Sequence, residues 1–458
     1  MEFQSSSLTP MPVNRGNRIE SLDILRGAAI LGILLINVVG FGLSTGGNFS
    51  SKLFSDLSSS NFITYAVVYA LFEGKMRAMF CMLFGAGILL FSINKKSVDP
   101  KRVTALFYVR MGWLVLFGLL HAHVLLWTGD VLFFYGLFGM IVYLLRNMKS
   151  RYMLMAVPFV TIIWFVVGTL FYRNVREQRF AFNEAVKVQQ TGKQLSVKQQ
   201  QSIDEWKELE KTMLPNESEA QASAANMRGN YASVAAEVRP KAFKAETNYL
   251  LVEMGDNIAL MLLGMALLKL GFFTGKWTSR QYRLVMFIGY AVSLPITAYE
   301  LWYMANYTAS IPAIIQHMEQ TPIPWKTLLY PVQRICMVLA HCAALMLLIR
   351  SGYLSSVLKR LQAVGQMALS NYIMQTVLCS LFFFGYGLGY YNKLEIHQLY
   401  YVVAVILILQ LIISPLWLKH FKFGPLELLW RTLTYKQIKI NFPRWILARF
   451  PSVRMLNK

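Results

Sequence analysis

Charge is scarce in this 458-residue chain: Asp, Glu, Lys and Arg make up only 15% of it, against about 25% in an ordinary soluble domain. Acid is scarcer still, with 23 Asp and Glu against 45 Lys and Arg, a net charge of +22. Cysteine is limited to Cys81, Cys336, Cys342 and Cys379. They show no CxxC spacing and lie in apolar stretches, which excludes a disulfide scaffold and reads as four buried apolar residues. No P-loop, dinucleotide fingerprint or metal-ligand spacing occurs, so phosphate-loop and metal chemistry are not expected. On a soluble face the basic excess would suggest nucleic acid, but these residues fall between long apolar runs and report topology.

Apolar residues fill that space: 55% of the chain is hydrophobic and 14% aromatic, with a mean hydropathy of +0.43. A bilayer core of about 30 Å needs roughly 20 apolar residues per helix. About ten runs qualify: Leu22 to Leu43, Phe62 to Ile93, Leu106 to Leu126, Val131 to Leu145, Tyr152 to Phe171, Tyr249 to Phe273, Leu284 to Tyr303, Leu328 to Ile349, Ala363 to Leu388 and Leu399 to Leu418. The second is too long for one untilted span and breaks near Glu73, Gly74 and Lys75, as an interfacial helix feeding a span would. The expected fold is all-α and polytopic.

Alternation from a cytoplasmic N-terminus places the basic clusters on one side, from Arg15 and Arg18 through Lys95, Lys96, Arg146 and Arg280 to the tail after Lys419. The chain therefore divides into an N-terminal membrane region (1–172), a hydrophilic helical insert outside the cytoplasm (173–248), a C-terminal membrane region (249–418) and a basic tail (419–458). Pro215 and Asn216 break the insert into two helical pieces. In the tail, Phe442, Trp445, Ile446 and Phe450 among Arg444, Arg449 and Arg454 suit an interfacial helix. The opening apolar run reads as a retained anchor, since no small-residue cleavage site follows it.

Ionisable groups inside spans are costly and line cavities or pair. Asp23 and Arg26 share a helix face and read as an ion pair. The mixed signs of Glu73, Lys75 and Arg77 permit mutual neutralisation, and Arg110 reads as snorkelling from a helix end. The densest cluster is the turn from Gly118 through His121 and His123 to Asp130. Histidines two apart do not share a helix face, so a two-histidine metal clip is not expected. One histidine beside a carboxylate suits a general base. Glu253, Asp256 and Arg334, with Glu73 and Arg77, would form a charged pocket on the insert side. Gly365, Gln366, Ser370, Asn371, Tyr372 and Gln375 make a polar stripe, which reads either as interhelical hydrogen bonding or as a portion of a site.

These motifs resemble the YeiB-like bacterial membrane family catalogued as a domain of unknown function (DUF 418). The pieces are Leu22-Asp23-Ile24-Leu25-Arg26-Gly27 with Asn37, Phe72-Glu73-Gly74-Lys75, Leu83-Phe84-Gly85-Ala86-Gly87 and Gly118-Leu119-Leu120-His121 with Gly129-Asp130. Leu263-Gly264-Met265-Ala266, the run Gly365 to Tyr372, and Gly424-Pro425-Leu426-Glu427 with Trp430-Arg431 complete them. The opening motif is also similar to that of integral-membrane acyltransferases, including heparan glucosaminide acetyltransferase. That resemblance implies acyl-CoA as a cytoplasmic co-substrate and an extracytoplasmic small-molecule or carbohydrate acceptor. Many of those enzymes carry a histidine eleven residues after the helix-one arginine. Here that position is Asn37, and no histidine follows before His121.

The expected site therefore has His121 as base, Asp130 orienting it and Asn37 polarising the thioester carbonyl. Arg26 and Arg110 would hold the CoA phosphates, and Glu73, Arg77, Glu253, Arg334 and Asn371 would bind the acceptor. The expected place is the bacterial cytoplasmic membrane, both termini cytoplasmic, with the lipid bilayer as partner, a homodimer admitted, and no metal or nucleic acid. A transporter or lipid-handling permease with an outward-facing charged cavity is the alternative.

Overall fold

A computed structural model describes residues 19–44, 49–93, 99–213 and 217–435, and among them every regular element is a helix. The N-terminal half contains α1 (Glu20–Gly42), α2 (Phe49–Phe54), α3 (Ser60–Leu71), α4 (Lys75–Ile93), α5 (Pro100–His123), α6 (Leu132–Leu144) and α7 (Ser150–Gln190). The insert continues with α8 (Val197–Met213), α9 (Glu217–Met227) and α10 (Tyr231–Asn248). The second half has α11 (Leu250–Lys269), α12 (Ser279–Tyr307), α13 (Ile311–Gln320), α14 (Lys326–Ser351), α15 (Ser355–Gln366), α16 (Ala368–Phe383), α17 (Ile396–His420) and α18 (Pro425–Tyr435).

Among the described residues, eight segments are long and apolar enough to cross a membrane, α3 and α4 counting together, and α6 and α16 are shorter apolar helices. The protein is thus a polytopic all-α membrane protein. Its core runs through α1, α4, α11 and α14. By contrast, Met155, Phe159, Ile162 and Leu170 on α7 are all more than half exposed, as lipid-facing residues are.

Glycine lets the central helices touch. A Cβ on Gly85 would lie 2.1 Å from the carbonyl oxygen of Met261, and one on Gly264 would lie 1.8 Å from that of Met82. α4 and α11 therefore cross backbone to backbone. Gly27 and Gly365 do the same for α1 and α15. Such contacts substitute dispersion for the hydrophobic drive that lipid removes.

The break near Gly74 is present, with this glycine at φ +68° between α3 and α4. Two boundaries differ from the sequence reading. α7 runs unbroken through residues 172 and 173 because no helix-breaking residue intervenes between the apolar run and the polar one. The stretch Ala363 to Leu388 is two helices, α15 and α16, parted at Met367. Pro215, Asn216, Arg15, Arg18, Lys95, Lys96 and the aromatic-basic tail lie outside the described residues.

Candidate functional site

The site begins with the pattern of α5. Phe107, Met111, Leu114, Gly118 and His121 recur at spacings of four and three and are all buried, so one stripe faces the bundle and carries His121 at its end. Gly118 permits the return of α6, since a Cβ there would stand 2.2 Å from the Phe133 nitrogen. That return puts Asp130 against the histidine. His121 Nδ1 lies 2.7 Å from Asp130 Oδ1, and the Phe133 amide donates to Asp130 Oδ2 at 2.8 Å. His121 Nε2 lies 2.7 Å from Thr376 Oγ1 on α16. The imidazole is 1% exposed and its ring meets the ring of Tyr372 edge-on.

His123, off the stripe, bonds Glu246 of α10 at 2.9 Å instead. Arg239 and Tyr231 of the same helix donate to the carbonyls of His123 and Val124. The insert is therefore clamped onto the end of α5. Among the described residues no group of three metal-ligating side chains converges.

Two cavities approach the His121–Asp130 couple from opposite ends of the bundle. The first, of about 280 Å³, opens beside Arg26. It follows α4 from Phe91 to Phe80, a rise of about 16 Å at helical geometry. Asp23, Arg26, Arg110 and Glu427 lie in its wall, together with apolar side chains and Tyr135 and Tyr372. Arg26 pairs with Asp23 at 3.0 Å. The Arg110 guanidinium does not snorkel outward: it stacks 3.8 Å from the Trp430 ring centre, drawn into the cavity by the aromatic face and by the Trp430 indole bonding the Arg110 carbonyl. Glu427 caps the N-terminus of α16 through the Leu369 and Ser370 amides. Burial pushes its carboxyl above the ordinary range, against the lowering effect of those bonds.

The second cavity, of about 390 Å³, lies on the insert side. Asn37, Glu73, Arg77, Asp130 and Glu253 line it, and Ala245 and Tyr249 bring the insert into its wall. Asp130 faces this cavity and His121 sits behind it. Tyr135 borders both cavities and donates to the Arg77 carbonyl, and Tyr372 donates to the Gly129 carbonyl. These two rings and the couple form the dividing wall.

Glu73, Lys75 and Arg77 make no direct ion pair with one another, because the turn at Gly74 and the helical twist send them apart. Arg77 pairs with Glu253 at 2.7 Å and reaches Asp256 at 3.6 Å. Glu73 accepts from Tyr330, and Lys75, fully buried, donates to the Tyr69 carbonyl. Arg334 forks onto Asp256 behind the cavity and does not line it. Asn371 lines neither cavity: it bonds Val364 and Ser414, with Gln410 donating to its carbonyl, so it ties α16 to α17. Asn37 lies apart from Arg26, in the other cavity. Thr376 escapes sequence reasoning, since it has no local motif and acts 255 residues away, and Glu427 stands there only as a motif residue because its partners on α16 are distant in sequence.

Residues 267–437 match the family model described as protein of unknown function (DUF418). Over that stretch the chain is similar to the DUF418 family. Over 436 residues, 91% of this chain and 96% of the relative, it is 27% identical to the uncharacterized protein YeiB of Escherichia coli (strain K12). It is likewise 27% identical over 455 residues, 94% of this chain and 97% of the relative, to the uncharacterized protein YxaH of Bacillus subtilis (strain 168). An uncharacterized 39.9 kDa protein in the amylase 3' region of Bacillus acidopullulyticus is 38% identical over 97 residues, 21% of this chain and 28% of that protein. No solved structure matches the chain. The membrane architecture and the likeness to YeiB and YxaH thus extend together over most of the chain.

Proposed function

We propose that the protein is an integral-membrane acyltransferase, carrying an acyl group from cytoplasmic acyl-CoA to an extracytoplasmic acceptor such as a cell-envelope sugar. One observation carries the reading: two cavities meet a single wall built of Tyr135, Tyr372 and the His121–Asp130 couple. A donor and an acceptor on opposite sides of a membrane need that arrangement, because the acyl group has to cross while neither carrier does.

The Arg26 cavity suits the donor. Arg26 and Arg110 at its mouth would take phosphate, and the apolar length beyond would take the thioester arm. The acceptor would occupy the insert-side cavity, with its hydroxyl or amine at Asp130. In the transfer, the acceptor oxygen or nitrogen bonds the thioester carbonyl carbon and the carbon–sulfur bond breaks. The acceptor proton passes to Asp130, the member of the couple that lines the acceptor cavity, and is given up to insert-side water once product leaves, while the thiolate departs toward the Arg26 side and takes a proton from water there. The Asn37 amide, on the acceptor side, is placed to steady the oxyanion once the carbonyl reaches the wall.

A transporter is the second reading, favoured by Lys75 and Glu300, both fully buried among α3, α12 and α14, since buried ionisable residues in spans often carry ions. Calorimetry separates the two. Acetyl-CoA and longer acyl-CoA should bind purified protein saturably and more tightly than free CoA, and Arg26→Glu should weaken them. Folded protein that binds no acyl-CoA refutes the transferase.

A further inference from the structure

Both ring nitrogens of His121 are engaged, and their partners dictate its hydrogens. An ionised carboxylate only accepts, and Asp130 already accepts from the Phe133 amide and from His121 Nδ1. The imidazole hydrogen therefore belongs on Nδ1, and Nε2 keeps a lone pair. The group 2.7 Å from that lone pair is the Thr376 hydroxyl, 1% exposed and 255 residues away in sequence. In this state the hydroxyl donates.

A hydroxyl also accepts. When the couple takes a second proton, Nε2–H needs an acceptor, and the same oxygen supplies one while its own hydrogen turns to the carbonyl one helical turn earlier, as helical threonines allow. We propose that Thr376 is a positioning residue that holds the neutral His121 ring, whose tautomer Asp130 sets, by donating to Nε2, and then receives the Nε2–H of the imidazolium. Its meaning for catalysis rests on the acyl-transfer reading, whereas the tautomer does not. The groups facing the ring are Asp130 from the turn, and Tyr372 and Thr376 from α16; none of these is cationic.

Valine keeps the shape of threonine but neither donates nor accepts. The loss falls harder on the imidazolium, because hydrogen bonds from charged groups are the stronger ones. The Nε2 lone pair is then left with no donor as well.

The test uses full-length protein labelled with ¹⁵N-histidine in detergent micelles, the six histidines separated by comparison with His121→Gln. Wild type and Thr376→Ser should show neutral His121 protonated at Nδ1. Thr376→Val, still melting cooperatively, should move the ¹⁵N signal of the unprotonated Nε2 to the position of an imidazole nitrogen that accepts no hydrogen bond. If valine prevents folding, Thr376→Ala reads the same loss. A hydrogen on Nε2 in the neutral ring, or a Val or Ala variant whose Nε2 signal matches wild type, overturns the proposal. Thiol release from acetyl-CoA supplies the second readout: Thr376→Val should lower kcat about tenfold at unchanged KM, with Thr376→Ser restoring it. Normal kcat in Thr376→Val overturns the catalytic role. The expected ¹⁵N pattern in wild-type protein that neither binds nor turns over acyl-CoA instead refutes the acyl-transfer reading and leaves the tautomer assignment standing.

Discussion

Replacing Asp256 with alanine strands Arg334. The arginine side chain is 5% exposed and its two terminal nitrogens both bond this carboxylate, while its Nε has no partner. Removing one member of a buried pair costs about 3–5 kcal/mol, because the other charge stays desolvated. Asp256 is itself 27% exposed, so water can reach the gap and the low end, about 3 kcal/mol, applies. Arg77 adds little to the loss, since it is 37% exposed and keeps Glu253 at 2.7 Å. The double change Asp256→Ala with Arg334→Met removes the stranded charge and should return stability to within about 1 kcal/mol of wild type. Equilibrium unfolding in mixed micelles of mild and denaturing detergent measures wild type, both single variants and the double variant. A double variant as unstable as the sum of its single changes would refute the reasoning, and so would a single Asp256→Ala change costing less than about 1 kcal/mol.

Three further outcomes follow from other regions of the molecule. Gly85→Leu should reduce folded yield sharply, by about 3 kcal/mol or more, since even its Cβ would overlap Met261 backbone; fluorescence-detected size exclusion reads it. Tyr135→Ala should join the two cavities and quicken acetyl-CoA hydrolysis by water relative to transfer, measured as thiol released without acylated acceptor. Acid should loosen the insert. Burial raises the Glu237 carboxyl, but hydrogen bonds from Lys241, Ser223 and Asn226 outweigh it, and those from Arg179 and Asn183 lower Glu319. Their stabilisation is present above the unfolded value of 4.5 and is lost as pH falls through the lower folded values. Hydrogen exchange in α9, α10 and α13 should therefore rise below about pH 4.5, and equal protection at pH 3 and pH 7 would contradict it.

What could be read from the chain was what is local. Run lengths disclosed the spanning helices, and a lone glycine between charges disclosed the break at Gly74. His121 and Asp130 are nine residues apart across one turn, so their meeting needed no tertiary knowledge. The partner on the other nitrogen did, because Thr376 arrives from a helix 255 residues later. Arg110 misled for a physical reason: a basic residue near a helix end ordinarily reaches for the interface, and only the docking of Trp430 turns it inward. The stripe across α15 and α16 carried both readings until its neighbours were known. Asn371 and Gln375 then bonded the adjacent helices, while Tyr372 and Gln366 lined the Arg26 cavity.

The account stands or falls on whether the two cavities open to opposite faces of the membrane. Thr128→Cys in the insert-side cavity and Gln366→Cys in the other place a thiol in each wall. A Cys336→Ser background is suitable, because Cys81, Cys342 and Cys379 are buried. Both are exposed to a membrane-impermeant maleimide in right-side-out and inverted vesicles. The account predicts that Thr128→Cys labels only in right-side-out vesicles and Gln366→Cys only in inverted ones; labelling of both thiols from the same face would contradict it.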